Sequence, residues 1–381
     1  MRKTLLFLAF CTLSAIAQAQ FAPSRKNLIN EKRAEFFKTD EARRIGEQVL
    51  LWQRNTGGWP KNIDMVTEMT AEQRQQVIAD KVRREDSTID NGATTTQMAF
   101  IARLYQATGD NRYRDAFRKA VHYLLSGQYE NGGWPQFWPV QRDYQIHITY
   151  NDDAMVNTML MLRNIYEENE PYGNGICDER QRAAMKKAFD KGVECILATQ
   201  IRTNGVLTVW CQQHDHVTLQ PAYARAYELP SYCAQESSGI IALLMSLPNP
   251  DERVKTAVHS AMAWIDKYKL TGIRMVTARD DATGTFDRKI IHDANATPTW
   301  ARFYDLKNNI PFVCDRDGVP RLRLSEIGYE RRNGYAWYGN RPATLYPQYE
   351  KWAAKYDPEH KVAISLQTKG ANENGTIEYA E

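Results

Sequence analysis

The sequence has few cysteines, and they show no regular spacing. Only six occur in 381 residues. Those beyond the N-terminal segment are Cys177, Cys195, Cys211, Cys233 and Cys314. An odd, scattered set does not form the framework of a disulfide-rich fold. Neither C-x-x-C nor H-x-x-x-H occurs, so the usual zinc-ligand spacings are missing. We predict that most of these cysteines are small core residues, with one incidental disulfide at most.

A large excess of charge of one sign is also missing. The net charge is only +3, with 25% charged and 43% hydrophobic residues, as in a soluble globular protein. Such a balance gives no electrostatic footprint for nucleic acid, and any cationic site must be local. After the first twenty residues, no apolar run is long enough to span a bilayer.

The first twenty residues differ from the rest. Arg2 and Lys3 precede the apolar run TLLFLAFCTLSAIA, which ends in AQAQ. A basic start, an apolar stretch and small residues at a cleavage site describe a secretory signal peptide. We predict cleavage after Ala19 and a secreted or periplasmic protein. A buried N-terminal helix and a lipoprotein attached through Cys11 are the alternatives.

A repeat of about 75 residues runs through the chain. The segments QRNTGGWPKN, QYENGGWPQF and QIRTNGVLTVW place tryptophans at Trp59, Trp134 and Trp210, at spacings of 75 and 76 residues. A constant spacing of this kind indicates an architectural repeat. Each segment follows an amphipathic helical pattern, and more apolar helical patterns lie between them.

The repeating unit is therefore an inner helix, a short turn, an amphipathic outer helix and a glycine-rich loop. Helix pairs can stack as an open solenoid or close into a ring. We predict an all-α fold, an incomplete α/α toroid with irregular loops and short strands around a groove. Three or four helix pairs with varied loops favour the closed toroid over an open solenoid, whose units are usually more uniform. The last eighty residues are predicted to form loops and a final helix.

Polar residues collect at the predicted starts of the inner helices. Asp90 and Asn91 precede one such helix, and Asn151, Asp152 and Asp153 precede the next. Helix capping would explain one carboxylate at each start. Adjacent pairs at equivalent places exceed what capping requires, and oxygen-only ligands suit a hard cation such as calcium. Both interpretations stay open at this point, and Glu236 lies at the start of a third inner helix.

A second dense stretch lies at residues 209–231. The run His214-Asp215-His216 is compatible with a metal, an acid/base pair or hydrogen-bonded loop residues. Arg225, between two alanines and followed by an aromatic residue, is either a surface charge or a fixed anion clamp.

Seven motifs in this order resemble the pectate lyases of polysaccharide lyase family 10. They are GGWPKN, DNGATTTQ, NGGWPQF, ITYNDDAM, VWCQQHD, ARAYELPS and ARFYDL. The resemblance covers residues 40 to 355. It implies an α/α toroid that cleaves polygalacturonate by calcium-assisted β-elimination and releases 4,5-unsaturated oligogalacturonides.

The resemblance also implies roles for individual residues. Arg225 of ARAYELPS would be the catalytic base, with Ca²⁺ held by Asp90 and Asp152 and by Asn91 and Asp153 as further candidates. Arg302 and Arg316 would bind uronate carboxylates. Apart from the resemblance, the aromatic Tyr150 is a candidate for stacking on a sugar face, with packing in the core as the alternative. The family also uses a lysine, and Lys191 is one possibility.

The C5 proton of the substrate is only weakly acidic. Neutralising the neighbouring carboxylate would stabilise the charge that develops when this proton is removed, so the chemistry is reasonable. An arginine is a poor general base, since its pKa is about 12.5–13.8. Two other functions remain: an α/α-barrel glycoside hydrolase that uses Asp90 and Asp152 as acid and base, and a non-catalytic pectin-binding protein. The product separates the first two, because only elimination leaves an unsaturated sugar end.

The predicted organisation is a signal peptide at 1–19, one catalytic domain at 20–361 and a polar, flexible tail at 362–381. The predicted partner is polygalacturonate or its oligogalacturonides. We predict neither nucleic acid nor membrane as a partner after signal removal, and a monomeric state.

Overall fold

The chain folds mainly into α-helices joined by irregular loops. The computed structural model describes residues 25–279 and 284–366. Its described helices are α1 (Asp40–Trp52), α2 (Ala71–Ala79), α3 (Thr95–Thr108), α4 (Asn111–Ser126), α5 (Ala154–Tyr166), α6 (Glu179–Thr199), α7 (Ala234–Met245), α8 (Glu252–Lys267), α9 (Tyr329–Gly334) and α10 (Leu345–Tyr356). A mostly helical chain is thereby confirmed. The predicted signal peptide, residues 1–19, lies outside the described residues, as does the part of the predicted tail from 367 to 381.

The helices form hairpins that pack in two layers. Helix α3 packs on α4, α5 on α6 and α7 on α8. Helices α3, α5 and α7 also contact one another in chain order, and α10 packs on α7. On their other side α4, α6 and α8 contact in the same order. The alternation of inner and outer helices is as the sequence predicts.

Aspartates begin the outer helices. Asp110 caps α4 by accepting the backbone N–H of Arg112 at 2.9 Å. Asp178 and Asp251 cap α6 and α8 through backbone N–H groups at 2.8 and 2.9 Å. Side-chain oxygens satisfy amides that a helix start leaves without partners.

The repeated tryptophans anchor each loop to the outer helix before it. In each case the buried indole N–H donates to a carbonyl near that helix's end. The pairs are Trp59 with Val49, Trp134 with Leu124 and Trp210 with Ile196, at 2.7, 2.8 and 2.7 Å. Trp300 makes the same bond to Ile265 of α8 at 2.8 Å. The repeat therefore has a fourth member, which the even spacing did not reveal because the β-hairpin after α8 lengthens the last unit.

A glutamine at the end of each outer helix fixes the distance to the next. Gln53 donates to the carbonyl of Ala116 in α4 at 2.8 Å. Gln128 and Gln200 repeat this bond to α6 and α8 at 2.8 and 3.0 Å. Gly132, at φ +91°, passes so close to α6 that a Cβ would meet a backbone oxygen at 2.0 Å. Only glycine fits this approach, which explains the Gly-Trp loops.

Short strands lie between and after the helices. They are β1 (Ile148–Thr149), β2 (Arg202–Thr203), β3 (Val206–Leu207), β4 (Gln213–His214), β5 (Ile273–Arg279), β6 (Phe286–His292), β7 (Trp300–Ala301), β8 (Phe303–Tyr304), β9 (Pro311–Cys314), β10 (Pro320–Arg321) and β11 (Tyr338–Gly339). All pairings are antiparallel: β1–β4, β2–β3, β5–β6, β7–β11 and β8–β9–β10. The β1–β4 ladder positions the site.

The five cysteines of the described chain are buried free thiols, as expected for small core residues. Among the described helices, none combines the length and the apolar character needed to cross a bilayer.

Candidate functional site

Two single turns of 3₁₀ helix lie side by side at the starts of α3 and α5. They span Asp90–Gly92 and Asn151–Asp153 and pack against each other. The second residue of each is left-handed, with φ of 51° at Asn91 and 50° at Asp152. That geometry is unusual for a non-glycine residue and costs roughly 1–2 kcal/mol. The turns are thus equivalent: Asn91 and Asp152 are both exposed, while Asp90 and Asn151 are both buried.

The polar residues of these turns are not helix caps. No side chain caps the first turn of α3, α5 or α7. The outer helices, by contrast, have the aspartate caps described above. Capping therefore does not explain the carboxylates at the inner helix starts, and a ligand role accounts for them better.

A lysine holds the buried carboxylate of the first turn. Lys61 forms an ion pair with Asp90, and its ammonium lies 5.5 Å from the ring centre of Phe137. Lys61 belongs to the motif GGWPKN, so the sequence contained a signal for it. Lys191 instead lies on the outer helix α6, with its ammonium 3.4 Å from Glu130.

The two aspartates of the second turn have different surroundings. Asp152 is exposed, and its Oδ2 accepts the side-chain N–H of Asn151 at 2.9 Å. Asp153 turns toward Gly239 of α7 and pairs with Arg341 at 2.8 Å. Its Oδ1 is buried and has no hydrogen-bond partner among the described residues.

Arg302 joins the second turn to α7. Its Nη2 donates to Glu236 at 2.7 Å and to Asn151 at 2.9 Å. Burial raises the pKa of Glu236, although Arg302 opposes this shift. Arg302 also lines a cavity of about 300 Å³ together with Asp152 and Arg341. Three carboxylates and two guanidinium groups thus line this cavity: Asp152, Asp153, Glu236, Arg302 and Arg341.

Arg225 is held by Glu228. Its Nε donates to the buried carboxylate at 2.7 Å, and Nη2 bonds the other carboxylate oxygen. The guanidinium carbon lies 5.0 Å from the ring centre of Tyr227. Burial lowers the pKa of Arg225, but the bonds and charge of Glu228 outweigh it and raise the pKa above its usual value. Nη1 takes no part in these bonds.

Tyr335 connects the two halves of the site. Its hydroxyl donates to Glu228 at 2.7 Å. Its ring centre lies 5.6 Å from the guanidinium carbon of Arg225 and 4.6 Å from that of Arg302. Tyr144 interacts electrostatically with both Arg225 and Asp90. The arginine and the carboxylate turns therefore belong to one site.

The structure places the remaining predicted residues as follows. Arg316 is exposed, pairs with Glu330 at 3.2 Å and lies 5.8 Å from the ring of Tyr227. Tyr150 is fully buried, with its hydroxyl 2.7 Å from Thr199, so it offers no face to a sugar in this structure. His214 is fully buried and both of its ring nitrogens are hydrogen-bonded.

Comparison with known proteins adds independent findings. Residues 53–346 match the family model described as pectic acid lyase. A family 10 polysaccharide lyase from Cellvibrio cellulosa is similar at 35% identity, covering 84% of this chain and 95% of that one with a TM-score of 0.72. A mutant of such a lyase from the same organism, in complex with trigalacturonic acid, also shows 35% identity and a TM-score of 0.72, covering 85% and 96%. No curated protein matches.

Proposed function

Because the chain belongs to the pectic acid lyase family, polysaccharide lyase family 10, we propose that it cleaves polygalacturonate by calcium-dependent β-elimination. Its products would be oligogalacturonides with a 4,5-unsaturated end. The trigalacturonic acid bound to the similar Cellvibrio lyase supports this substrate class. The observation that carries the proposal is the convergence of two carboxylate-bearing turns and Arg225 around Tyr335 and Arg302.

The donor atoms of the two turns fit a calcium ion. Asn91 and Asp152 present oxygens from equivalent exposed positions, and Asp90 is the buried neighbour. Asp153 is the least suited of the candidates, because it faces α7 and already pairs with Arg341. All of these ligands are oxygens, as Ca²⁺ prefers. When bound, the ion would neutralise the uronate carboxylate and acidify the C5 proton.

The residues of this chain then have separate tasks. Glu228 and Tyr335 orient Arg225, and Nη1 is the nitrogen left to meet the proton at C5. Arg302 and Arg341 supply positive charge at the cavity beside Asp152, where a carboxylate of the substrate would bind. Lys61 balances Asp90 in the absence of other cations, and it is our proposal for the family's lysine.

We also propose that the helix hairpins form an incomplete α/α toroid. The neighbour order α3, α5, α7 and α10 in the inner layer supports this, as does the parallel order of the outer helices. The site lies where the inner helices begin, so the loops of one rim build it.

Removal of calcium tests the proposed chemistry. We expect a chelator to abolish release of unsaturated, ultraviolet-absorbing product from polygalacturonate, and added Ca²⁺ to restore it. Asp152→Ala should lower kcat at least about 100-fold, while the melting temperature measured in chelator changes little, because an exposed residue supports no core. Asp190→Ala, at an exposed position of α6, is the matched control and should behave like the wild type.

A second readout does not depend on turnover. Saturating Ca²⁺ at about 100 times its Kd should stabilise the wild type by about 2.7 kcal/mol, and Asp152→Ala should lose this gain. Full activity in chelator, or a product without the unsaturated end, would contradict the mechanism and favour the hydrolase.

A further inference from the structure

Three metal-ligating side chains meet outside the site just described. His147, Asp215 and His216 each offer one ligand atom, and these atoms lie within 4.8 Å of one another. The sequence suggested the run from 214 to 216 as the cluster. The structure replaces His214, which is turned into the core, with His147 from a different loop.

The β1–β4 ladder brings these residues together. His147 immediately precedes β1, and Asp215 follows β4, which pairs antiparallel with β1. The Oδ1 of Asp215 accepts the backbone N–H groups of Val217 and Thr218 at 3.0 and 2.7 Å. Its Oδ2 lies 3.8 Å from Nδ1 of His147.

Neighbouring residues also fix the ring of His216. Its ring centre lies 5.2 Å from that of Tyr129, and its carbonyl accepts the side-chain N–H of Asn131 at 2.7 Å. The donor set is therefore held in place by a turn, a ladder and a ring contact. A cluster of mobile surface side chains would lack these contacts.

Two buried nitrogens in this cluster have no partner. The Nδ1 atoms of His147 and His216 are both shielded from solvent and make no hydrogen bond within the described chain. Leaving a buried polar atom without a partner is unfavourable, so each requires an explanation.

We propose that His147, Asp215 and His216 bind a divalent transition-metal ion of the zinc class. Imidazole nitrogens with one carboxylate suit zinc, nickel or copper, whereas calcium prefers oxygen ligands. Two bonds of about 2.1 Å at a tetrahedral angle place their donor atoms about 3.4 Å apart, close to the observed 3.8 Å. Three protein ligands leave a fourth position for water.

The position of this site indicates a structural role. The β1–β4 ladder has only two residue pairs, and so short a ladder is weak by itself. Its other end leads into the second turn of the candidate lyase site, where the backbone N–H groups of Tyr150 and Asn151 both donate to Gln212. A metal at the His147 end would fasten the ladder and thereby hold Asn151 and Asp152 in place.

Calorimetric titration of the tag-free mature protein with ZnCl₂ tests the site. The protein is first stripped of transition metals and then kept in CaCl₂, so that the proposed calcium site is occupied. We expect one Zn²⁺ per chain with a micromolar or tighter Kd and a higher melting temperature. Co²⁺ should give visible absorption bands of four-coordinate geometry.

Variants identify the ligands. Asp215→Asn keeps the oxygen that caps the turn. Combined with His216→Gln, this substitution should abolish both the heat of Zn²⁺ binding and the rise in melting temperature. His122→Gln, at an exposed position of α4, is the control and should bind like the wild type. His147→Gln gives a third, independent removal of a ligand.

Binding no tighter than millimolar, or binding that survives Asp215→Asn and His216→Gln, would overturn the proposal. If the variants do not fold, the cobalt bands of the wild type and of His122→Gln still decide whether the protein holds a four-coordinate metal site. None of these readouts uses lyase activity, so the result is independent of the calcium mechanism.

Discussion

In the free protein, the surroundings of Arg225 favour its protonated guanidinium, which suits the binding of an anion better than action as a base. Glu228 receives three hydrogen bonds from it, two from the guanidinium and one from its backbone N–H. Burial raises the pKa of Glu228, but the bonds from Arg225 outweigh it, so the pKa is lowered overall and the carboxylate stays charged. A proton transfer to Arg225 therefore requires that substrate and cation reverse this balance, or that C5–H loss and proton capture are concerted.

The substitution Arg225→Lys separates a base from a clamp. Lysine keeps the positive charge but loses the planar fork that Glu228 and the rings hold. If Arg225 is the base, kcat should fall by about two decades or more, with a much smaller change in KM. Kinetics on trigalacturonate measure both constants.

The control for this substitution is Arg253→Lys, which alters an exposed arginine of α8 paired with Glu194. It should leave both constants near the wild-type values. A nearly normal kcat with a raised KM for Arg225→Lys would show that Arg225 only binds the substrate.

The β1–β4 ladder is the element whose stability should respond most to pH. His214 lies in β4, where its Nε2 accepts the backbone N–H of Cys211 at 3.0 Å and its Nδ1 faces the carbonyl of Leu219 at 2.9 Å. A second ring proton would oppose the Cys211 N–H. Burial lowers the pKa of His214 to about 4, from 6.5.

The sign of the effect follows from proton counting. Between about pH 6.5 and 4 the unfolded chain binds a proton at His214 and the folded chain does not, so acid favours unfolding. Over this window His214 should remove up to about 3 kcal/mol from the free energy of unfolding. His214→Asn should flatten the pH dependence by this amount, as measured by urea unfolding in EDTA.

His122→Asn, at an exposed position, serves as the control and should leave the pH dependence unchanged. Equal slopes for the wild type and His214→Asn would show that the buried imidazole is not the group that titrates. EDTA keeps metal binding at the neighbouring His147 cluster out of the comparison.

At the scale of the whole molecule, contacts between the repeated helix hairpins make stabilising disulfide bonds unnecessary. Four tryptophans fix their loops to the outer helix before them, three glutamines join neighbouring outer helices, and the described thiols are all buried. Buried thiols are protected from oxidants. Such a chain is compatible with an oxidising compartment even though its cysteines are unpaired.

Secretion is the prediction that belongs to this scale. We expect the mature protein recovered from its native host to begin at Gln20, because the AQAQ segment fits a signal-peptidase site. Intact mass measurement of protein from the periplasm or the medium checks the new N-terminus. A cytosolic protein that retains Met1 would contradict the prediction.

Local patterns determined the helices, their order and the loops that join them. Apolar spacing, aspartate caps and the Gly-Trp segments all act within one or two turns of chain, so they can be read from the sequence. The seven motifs in their order likewise pointed to the family, which the comparisons confirm. The fourth anchor, Trp300, escaped because its spacing differs.

Tertiary structure alone decided which polar residues are partners. Asn91, not Asp90, is exposed at the position equivalent to Asp152, and Asp90 forms an ion pair with Lys61. The β1–β4 ladder brings His147 close to Asp215 and His216. Such pairs are set by the path of the chain and by side-chain rotamers, and residues tens of positions apart leave no periodic trace of their contact. Sequence therefore names many of the candidate residues, and packing selects the atoms that meet.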